Sequence, residues 1–290
     1  MSTLEQLTGK EYLSYSSLST YVKCGEEYRL SRIEKVPEAP AYWFPGGSAV
    51  HKGTEVYDLL RELDGLSHGE ALEAAIKGFH NEFSFQMMQS EERSDGMEWR
   101  AGGRRTAKQP NGEDAAWWRQ DGPIQVKQYA DWRVSNPAWV LAKVNDVPAV
   151  EVPFDVTLGD VKVRGFIDRI FATPIGEYAV VDLKSGKMTP ADYTQLAIYA
   201  TALDKLGLGR PRYGSYFMTR TATMTPPADL LRFNEEMLGT WLGKAKLGIE
   251  NGIFLPHVTS MCGTCSVANF CYAKNPNVPM PDLNMTQESS

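Results

Sequence analysis

Two short apolar segments near the middle of the chain, residues 165–171 and 178–183, flank a turn that contains a proline and a glycine. This pattern predicts two adjacent strands joined as a hairpin. Asp168 lies in the first segment, and Asp182 and Lys184 lie at the end of the second. Because residues two positions apart in a strand point to the same face, we expect the side chains of Asp182 and Lys184 to project together.

This hairpin places charged groups where a strand is otherwise apolar. A carboxylate and an amine beside a second carboxylate are costly to bury among valine, isoleucine and phenylalanine. Paired carboxylates on strands often bind a divalent cation through their oxygen atoms. An exposed salt bridge at the end of a strand is the alternative, and the spacing alone favours neither interpretation.

The composition is typical of a folded protein without membrane segments. The 290 residues suffice to bury a sizeable core, as one large domain or two small ones, and 42% of them are hydrophobic. The sequence contains no run of about 18 apolar residues, which excludes a membrane-spanning helix. The first residues include acids and no apolar segment, so we expect no signal peptide and a cytoplasmic protein.

The formal net charge of −6 argues against a surface coated with positive charge for nucleic-acid binding. Attraction of a nucleic acid depends on the local field at a cleft rather than on the total charge. The carboxylates of a metal site also add negative charge that bound cations offset. The net charge therefore does not exclude a nucleic-acid ligand.

Four cysteines divide unequally along the chain: Cys24 lies near the start, whereas Cys262, Cys265 and Cys271 lie close together near the end. Disulfides are rare in a reducing cytoplasm, so we interpret these residues as ligands of a metal or cluster. Zinc and iron–sulfur clusters both accept four cysteines, and the spacing does not separate them. For Cys24, a buried core thiol is the alternative.

Hydrophobic periodicity and capping residues predict further elements around the hairpin. We expect helices over residues 18–33, 49–63, 71–85, 189–206 and 228–250, and strands over residues 149–156 and 212–218. His51 begins the second of these helices, where a lone histidine is most often a surface or capping residue. Gln195 and Tyr199 lie four positions apart in a helix and share one face; a core tyrosine beside an edge glutamine is the alternative.

Residues 91–122 are rich in glycine, arginine and tryptophan. Basic side chains among aromatic ones bind single-stranded nucleic acid through phosphate contacts and base stacking. A polar surface loop whose tryptophans pack on the core explains the same composition, and it is the preferred interpretation.

The charged hairpin resembles the core motif of the RecB-like branch of the PD-(D/E)XK nuclease superfamily. In that branch an aspartate on one strand is followed by a (D/E)-x-K motif on the next. Asp168 is similar to the first, and Asp182-Leu183-Lys184 is similar to the second.

Motifs elsewhere in the chain extend this resemblance. His51 resembles the upstream histidine of the branch, and Gln195 with Tyr199 resembles its downstream Q-x-x-x-Y. Residues 16–24 match the family's N-terminal S-x-L-x-x-Y-x-x-C pattern. The resemblance runs from residue 12 to residue 272, except for the stretch between residues 65 and 145.

The resemblance implies an α/β fold with a central mixed sheet flanked by helices. It also implies a single nuclease domain over residues 1–290. Its parts would be an N-terminal helical part (12–64), an insertion (65–145), a nuclease core (146–220), a C-terminal helix with the cysteine cluster (221–272) and a disordered tail (275–290).

Roles for individual residues follow from the same resemblance. Mg²⁺ or Mn²⁺ would be held by His51, Asp168, Asp182 and the carbonyl group of Leu183. Lys184 would orient or deprotonate the attacking water, and the helix face with Gln195 and Tyr199 would point at the active site and the DNA. Glu151 resembles an acidic residue of many relatives, but an exposed charge at a strand edge explains it equally, so it is not counted among the ligands.

The one-plus-three arrangement of cysteines is similar to that of the iron–sulfur members of the branch, which include the CRISPR-associated exonucleases and their phage-encoded relatives. It implies a structural [4Fe–4S] cluster held by Cys24, Cys262, Cys265 and Cys271, with a structural Zn²⁺ ion as the alternative. Such a site would join the two ends of the fold.

The activity implied by the resemblance is that of a Mg²⁺- or Mn²⁺-dependent DNA exonuclease in phage or prokaryotic recombination, repair or DNA processing. Its substrate would be DNA that is single-stranded or has free ends. The pattern G-x-x-x-x-G-K-[ST] is absent from the sequence, so a helicase motor would have to be supplied by another chain. The alternatives are a structure-specific endonuclease and a non-catalytic nucleic-acid-binding or assembly protein on the same scaffold.

Overall fold

A mixed seven-stranded sheet lies at the centre of the protein, which the computed structural model describes over residues 2–173 and 177–281. The strands are β1 (Val140–Leu141), β2 (Lys143–Val144), β3 (Val147–Pro148), β4 (Val150–Leu158), β5 (Val161–Ala172), β6 (Tyr178–Lys184), β7 (Tyr213–Met218), β8 (Thr223–Met224) and β9 (Ala228–Asp229). The order within the sheet is β1-β5-β6-β7-β8, with β4 paired to β5 and β9 paired to β7, while β2 and β3 form a separate pair.

Helices surround this sheet in the described part of the chain. They are α1 (Thr3–Thr8), α2 (Tyr15–Lys23), α3 (Gly25–Tyr28), α4 (Trp43–Glu62), α5 (His68–Arg93), α6 (Ala115–Ser135), α7 (Thr194–Lys205) and α8 (Glu235–Glu250). Within residues 2–173 and 177–281, none of them is both long enough and apolar enough to cross a membrane.

The predicted hairpin strands are present as β5 and β6, which pair antiparallel. Strands β6 and β7 are parallel and are connected through α7, so the sheet is mixed and the predicted α/β class is confirmed. Strand β4 extends the sheet by pairing antiparallel with β5. The turn predicted at Pro174 and Gly176 lies outside the described residues.

Helices pack on both faces of the sheet. Val180 on β6 belongs to an apolar cluster with residues of α1, α2, α7 and α8. The alternate residues Val181 and Leu183 belong to a second cluster with residues of α4, α5 and α6. Each fully buried side chain of this kind stabilises the fold by about 1.5–3 kcal/mol. Polar groups on the sheet must therefore find partners from the helices on either side.

The prediction of a single helix over residues 18–33 is wrong, because the helix is interrupted at Cys24. This residue has an extended backbone (φ −161°), and the helix resumes as α3 and continues into a π-helical turn, Arg29–Ile33. The amide of Gly25 donates to the carbonyl of Leu255 at 3.0 Å. A Cβ on Gly25 would lie 2.8 Å from that backbone, so a tertiary contact overrides the local helical pattern.

Helix α4 starts six residues earlier than its predicted start at residue 49, so His51 lies in the middle of the helix rather than at its beginning. Pro45 lies in the first turn, where the missing N–H has no helical partner to lose. Gly46 packs directly against the ring of Trp118 on α6, since a Cβ would lie 2.2 Å from it. Residues 45–47, a Pro-Gly-Gly segment, thus lie inside the helix, and Gly46 allows the close packing of α4 on α6.

The stretch between residues 65 and 145 is more helical than predicted. Helix α5 extends the predicted helix over 71–85 in both directions and begins with a capping box of Ser67 and Glu70. Helix α6, which includes Pro123, was not predicted, and it removes residues 115–122 from the predicted loop. Trp118 is buried, which agrees with the packing interpretation of the tryptophans.

Helices α7 and α8 also begin later than predicted. The predicted start of α7 at residue 189 is wrong, because the helix begins at Thr194, whose amide donates to Asp192. The predicted start of α8 at residue 228 falls instead on β9, and Asn234 caps the helix through the amide of Met237.

The two ends of the described chain pack together. The amide of Leu4 donates to Glu250 Oε1 at 3.1 Å, and the hydroxyl of Tyr21 donates to the carbonyl of Ile253 at 2.9 Å. These contacts bring Cys24 beside the C-terminal segment that carries the other cysteines. Of the predicted disordered tail, residues 282–290 lie outside the described residues.

Candidate active site

Three carboxylates converge from three neighbouring strands. The register between β4 and β5 places Glu151 opposite Asp168. The register between β5 and β6, continued by one residue, places Asp168 opposite Asp182. Asp168 and Asp182 are only 6% and 1% exposed. Buried carboxylates require compensating positive charge or hydrogen-bond donors, so the helices around this point decide its chemistry.

His51 on α4 is the first compensating group. Its Nε2 atom lies 3.0 Å from the carbonyl oxygen of Leu183, and its Nδ1 atom lies 3.4 Å from Asp168 Oδ2 and 3.8 Å from Glu151 Oε1. His51, Glu151 and Asp168 each offer a ligand atom, and these atoms all lie within 4.8 Å of one another. The amide of Leu183 donates to Asp168 Oδ2 at 2.7 Å and orients that carboxylate.

The pKa shifts reflect this crowding of negative charge. Burial, and then the charge of Asp182, raises the pKa of Asp168 to about 7. Burial raises the pKa of Asp182 against the opposing effect of Lys184. Burial would lower the pKa of His51, but Asp168 and Glu151 outweigh it and raise that pKa to about 9. The site is therefore one in which a positive charge is strongly favoured.

The donor set fits Mg²⁺ or Mn²⁺. Carboxylates and a carbonyl are the hard oxygen ligands that both ions prefer, and the imidazole of His51 also suits a transition metal. Asp182 Oδ2 is buried and accepts no hydrogen bond from the described residues, although Lys184 Nζ lies 2.6 Å away in an unsuitable orientation. A cation would satisfy this oxygen.

Lys184 belongs to a closed ring of polar contacts with α7. Its Nζ donates to Gln195 Oε1 at 2.9 Å, and Gln195 Nε2 lies 2.7 Å from the hydroxyl of Tyr199. That hydroxyl reaches Asp182 Oδ1 at 3.5 Å. The ring holds the lysine amine beside the carboxylates, while 28% of the Lys184 side chain remains exposed.

Arg169 on β5 connects the strands of the site to helix α4 through hydrogen bonds of its guanidinium group. Its side chain is fully buried; Nε donates to Asp58 Oδ2 at 2.7 Å, and Nη2 donates to Thr54 Oγ1 at 3.0 Å. Nη1 donates to the carbonyl of Asp168 at 2.6 Å and lies 3.4 Å from Glu151 Oε1. One guanidinium thus connects the helix of His51 to the strands of two carboxylates.

Two of these roles were not predicted from the sequence. Glu151 was left outside the ligand set, yet it lies in the group that surrounds His51. The strand register would have revealed it, because Glu151 and Asp168 face each other across β4 and β5. Arg169 and Asp58 were not singled out; an arginine inside an apolar strand was the only available signal, and its partner is 111 positions away.

The four predicted cluster ligands, Cys24, Cys262, Cys265 and Cys271, line one cavity. Burial raises the pKa of the Cys265 and Cys271 thiols. Within residues 2–173 and 177–281, no three cysteine sulfurs lie within 4.8 Å of one another. The structure therefore brings all four predicted ligands to one cavity near the C-terminal segment.

Comparison with known proteins places these features in a family. The model of the PD-(D/E)XK nuclease superfamily matches residues 12–272. The chain is 30% identical to the Gene 69 protein of Mycobacterium phage L5, covering 89% of this chain and 95% of that protein, and 28% identical to the Gene 69 protein of Mycobacterium phage D29 over the same shares. The chain is 12% identical to the protein of the crystal structure of SSO0001, with a TM-score of 0.38, covering 94% of this chain and 93% of that one. Because the family model spans nearly the whole sequence, the chain belongs to the PD-(D/E)XK nuclease superfamily.

Proposed function

We propose that this protein is a metal-dependent deoxyribonuclease that digests DNA from free ends, in phage or prokaryotic recombination, repair or DNA processing. The observation that carries the proposal is the position of Lys184, which lies beside Asp182 and next to the group of His51, Glu151 and Asp168. A cation next to a positioned amine can supply the activated water and the charge neutralisation that phosphodiester hydrolysis needs.

The residues that would hold Mg²⁺ or Mn²⁺ are His51, Glu151, Asp168, Asp182 and the carbonyl group of Leu183. When bound, the cation would polarise the phosphate and lower the pKa of a coordinated water. The amine of Lys184 would orient the attacking water and stabilise the charge that develops at phosphorus.

The complete set of Asp168, Asp182 and Lys184 argues against a scaffold that has lost its activity. Packing between the two ends of the chain supports our proposal that residues 1–290 act as one nuclease domain. We place the protein in the host cytoplasm because four unpaired thiols suit a reducing compartment. A helicase or recombination partner would be a separate chain.

The end dependence can be tested with two substrates of equal sequence. In Mn²⁺, we expect linear end-labelled DNA to be degraded while covalently closed circular DNA persists. The rate should fall steeply with added salt, because phosphate contacts release counterions. The Lys184→Ala variant serves as the inactive control. Equal loss of closed circles would instead indicate an endonuclease, and DNA binding without cleavage of either substrate would indicate a non-catalytic protein.

We further propose that Cys24, Cys262, Cys265 and Cys271 hold a structural [4Fe–4S] cluster. The proposal is supported by the position of all four cysteines around one cavity, and the choice of a cluster over a zinc ion rests on their one-plus-three arrangement along the sequence. The cluster would close a loop of more than two hundred residues, and restricting so long a loop in the unfolded chain stabilises the folded state.

Replacement of one ligand tests this site. We expect Cys24→Ala to remove the brown colour of anaerobically purified protein and to lower its melting temperature, with activity falling as a consequence. Visible absorption, acid-labile sulfide and a thermal melt measure the effect. Colourless wild-type protein that contains stoichiometric zinc and no sulfide would contradict the cluster and leave the nuclease site unaffected.

A further inference from the structure

Phe166 is an exposed aromatic residue beside the carboxylates. It lies on β5 two positions before Asp168, and 58% of it is exposed. Its ring lines a cleft together with His51, whose Nδ1 atom lies 3.4 Å from Asp168 Oδ2, so the ring is close to the carboxylates. A single exposed phenylalanine is ordinary on a protein surface, and the position of this one is what requires an explanation.

Two clefts of about 760 Å³ each meet at this ring. The first, which we call the histidine cleft, is lined by His51 and Glu151. The second, which we call the tyrosine cleft, is lined by Gln195 and Tyr199. Phe166 lines both clefts, so its ring lies between the two halves of the candidate active site.

The two clefts differ in charge. The histidine cleft contains three glutamates and one lysine besides His51, namely Glu55, Glu82, Glu151 and Lys52. The tyrosine cleft contains Lys10, Arg164 and one acid, Asp155, which pairs with Arg164 at 2.6 Å. Lys10 and Arg164 lie 5.6 and 4.9 Å from the centroid of the Tyr12 ring, and 40% of the Arg164 side chain is exposed. Arg164 also contacts Glu11 Oε1 at 3.3 Å, so a phosphate would compete with two acids for it. Compared with the three glutamates of the histidine cleft, the tyrosine cleft is still the more favourable of the two for phosphate groups.

We propose that Phe166 stacks on a base of a single DNA strand that lies in the tyrosine cleft, with phosphates toward Lys10 and Arg164 and the bond to be cleaved at Asp168 and Asp182. An aromatic ring stacks on any base whose face is free, whereas the bases inside a duplex are already stacked on their neighbours. The inference rests on the proposed nuclease function and specifies its substrate: an unpaired strand or a frayed end.

Base stacking can be measured without cleavage. The experiment uses the Lys184→Ala variant and a series of single-stranded oligonucleotides, each with 2-aminopurine at a different position. We expect binding to quench the fluorescence of 2-aminopurine at one of these positions. Adding Phe166→Ala should abolish this quenching and weaken binding by about tenfold or more, and Phe166→Trp should restore both. Phe85→Ala is the matched control, because Phe85 on α5 is exposed to a similar extent (50%) but lines neither cleft.

An abasic site provides a second measurement. A series of single-stranded substrates carries the abasic site at different positions. In Mn²⁺, we expect one of these positions to lower the cleavage rate of the wild-type protein by about tenfold, because the stacked base is missing there. The Phe166→Ala variant should not show this local effect. An equal effect in both proteins, unchanged quenching in Phe166→Ala, or an equal loss of affinity for blunt duplex DNA would overturn the inference. Absence of cleavage of every DNA by the wild-type protein would instead contradict the proposed nuclease function.

Discussion

We expect Lys184→Ala to lower the rate of Mn²⁺-dependent DNA cleavage by about 10²–10⁴-fold. This is the range for loss of a group that transfers a proton or stabilises charge in the transition state. The amine is held 2.6 Å from Asp182 Oδ2 and 2.9 Å from Gln195 Oε1, so its position does not depend on the substrate. Steady-state rates on linear DNA measure the effect.

Metal binding separates the role of Lys184 from that of the carboxylates. Lys184→Ala should retain Mn²⁺ affinity, as measured by electron paramagnetic resonance, whereas Asp182→Asn should lose both affinity and rate. Asp160→Asn is the matched control, because the Asp160 side chain is 73% exposed and its ion pair within residues 2–173 and 177–281 is a surface pair with Lys246. Full activity in both site variants would contradict the assignment of this centre.

Arg169→Met should lower the free energy of unfolding by about 3–5 kcal/mol, because it leaves Asp58 without its closest buried cation. Both side chains of this pair are 0% exposed. The apolar methionine fills part of the volume, so the loss comes mainly from the weaker compensation of the Asp58 charge, which keeps Arg133 at 3.3 Å and the hydroxyl of Tyr129 at 2.6 Å as partners. Urea unfolding followed by circular dichroism measures the change.

The matched control for this variant is Arg212→Met, which removes an exposed pair between the residue that precedes β7 and Asp229 on β9. Arg212 and Asp229 are 50% and 44% exposed, and such pairs contribute about 0–1 kcal/mol. The double variant with Asp58→Asn should lose less stability than the sum of the two single variants, because the charges interact directly. A loss below 1 kcal/mol in Arg169→Met would show that the buried pair does not hold the site to α4.

Local patterns accounted for the parts of the site that lie close together in the sequence. The apolar segments around Asp168 and Asp182 predicted adjacent strands, because a period of two follows from strand geometry alone. The spacing of Gln195 and Tyr199 predicted a shared helix face for the same kind of reason, and both side chains reach the hairpin. The class of the fold followed from the family resemblance that these motifs carry.

The predicted helix boundaries were wrong where a contact with a distant residue outweighed the local helix propensity. Gly25 breaks the predicted N-terminal helix because its backbone packs on Leu255. Helix α4 continues through Pro45 and Gly46 because the ring of Trp118 occupies the space beside the glycine. Helix propensity differs by less than about 1 kcal/mol between most residues, so such packing contacts decide the outcome.

By itself, the sequence determined that an Asp, an Asp-x-Lys and a Gln-x-x-x-Tyr would lie on two strands and a helix, since each spacing is a property of local backbone geometry. Only the tertiary structure decided that Glu151 would face Asp168 and that Arg169 would pair with Asp58 across 111 positions. A strand register and a buried ion pair depend on which surfaces pack together in the folded protein. The free energy of burying a charge also depends on its partner, and that partner can be far away in the sequence.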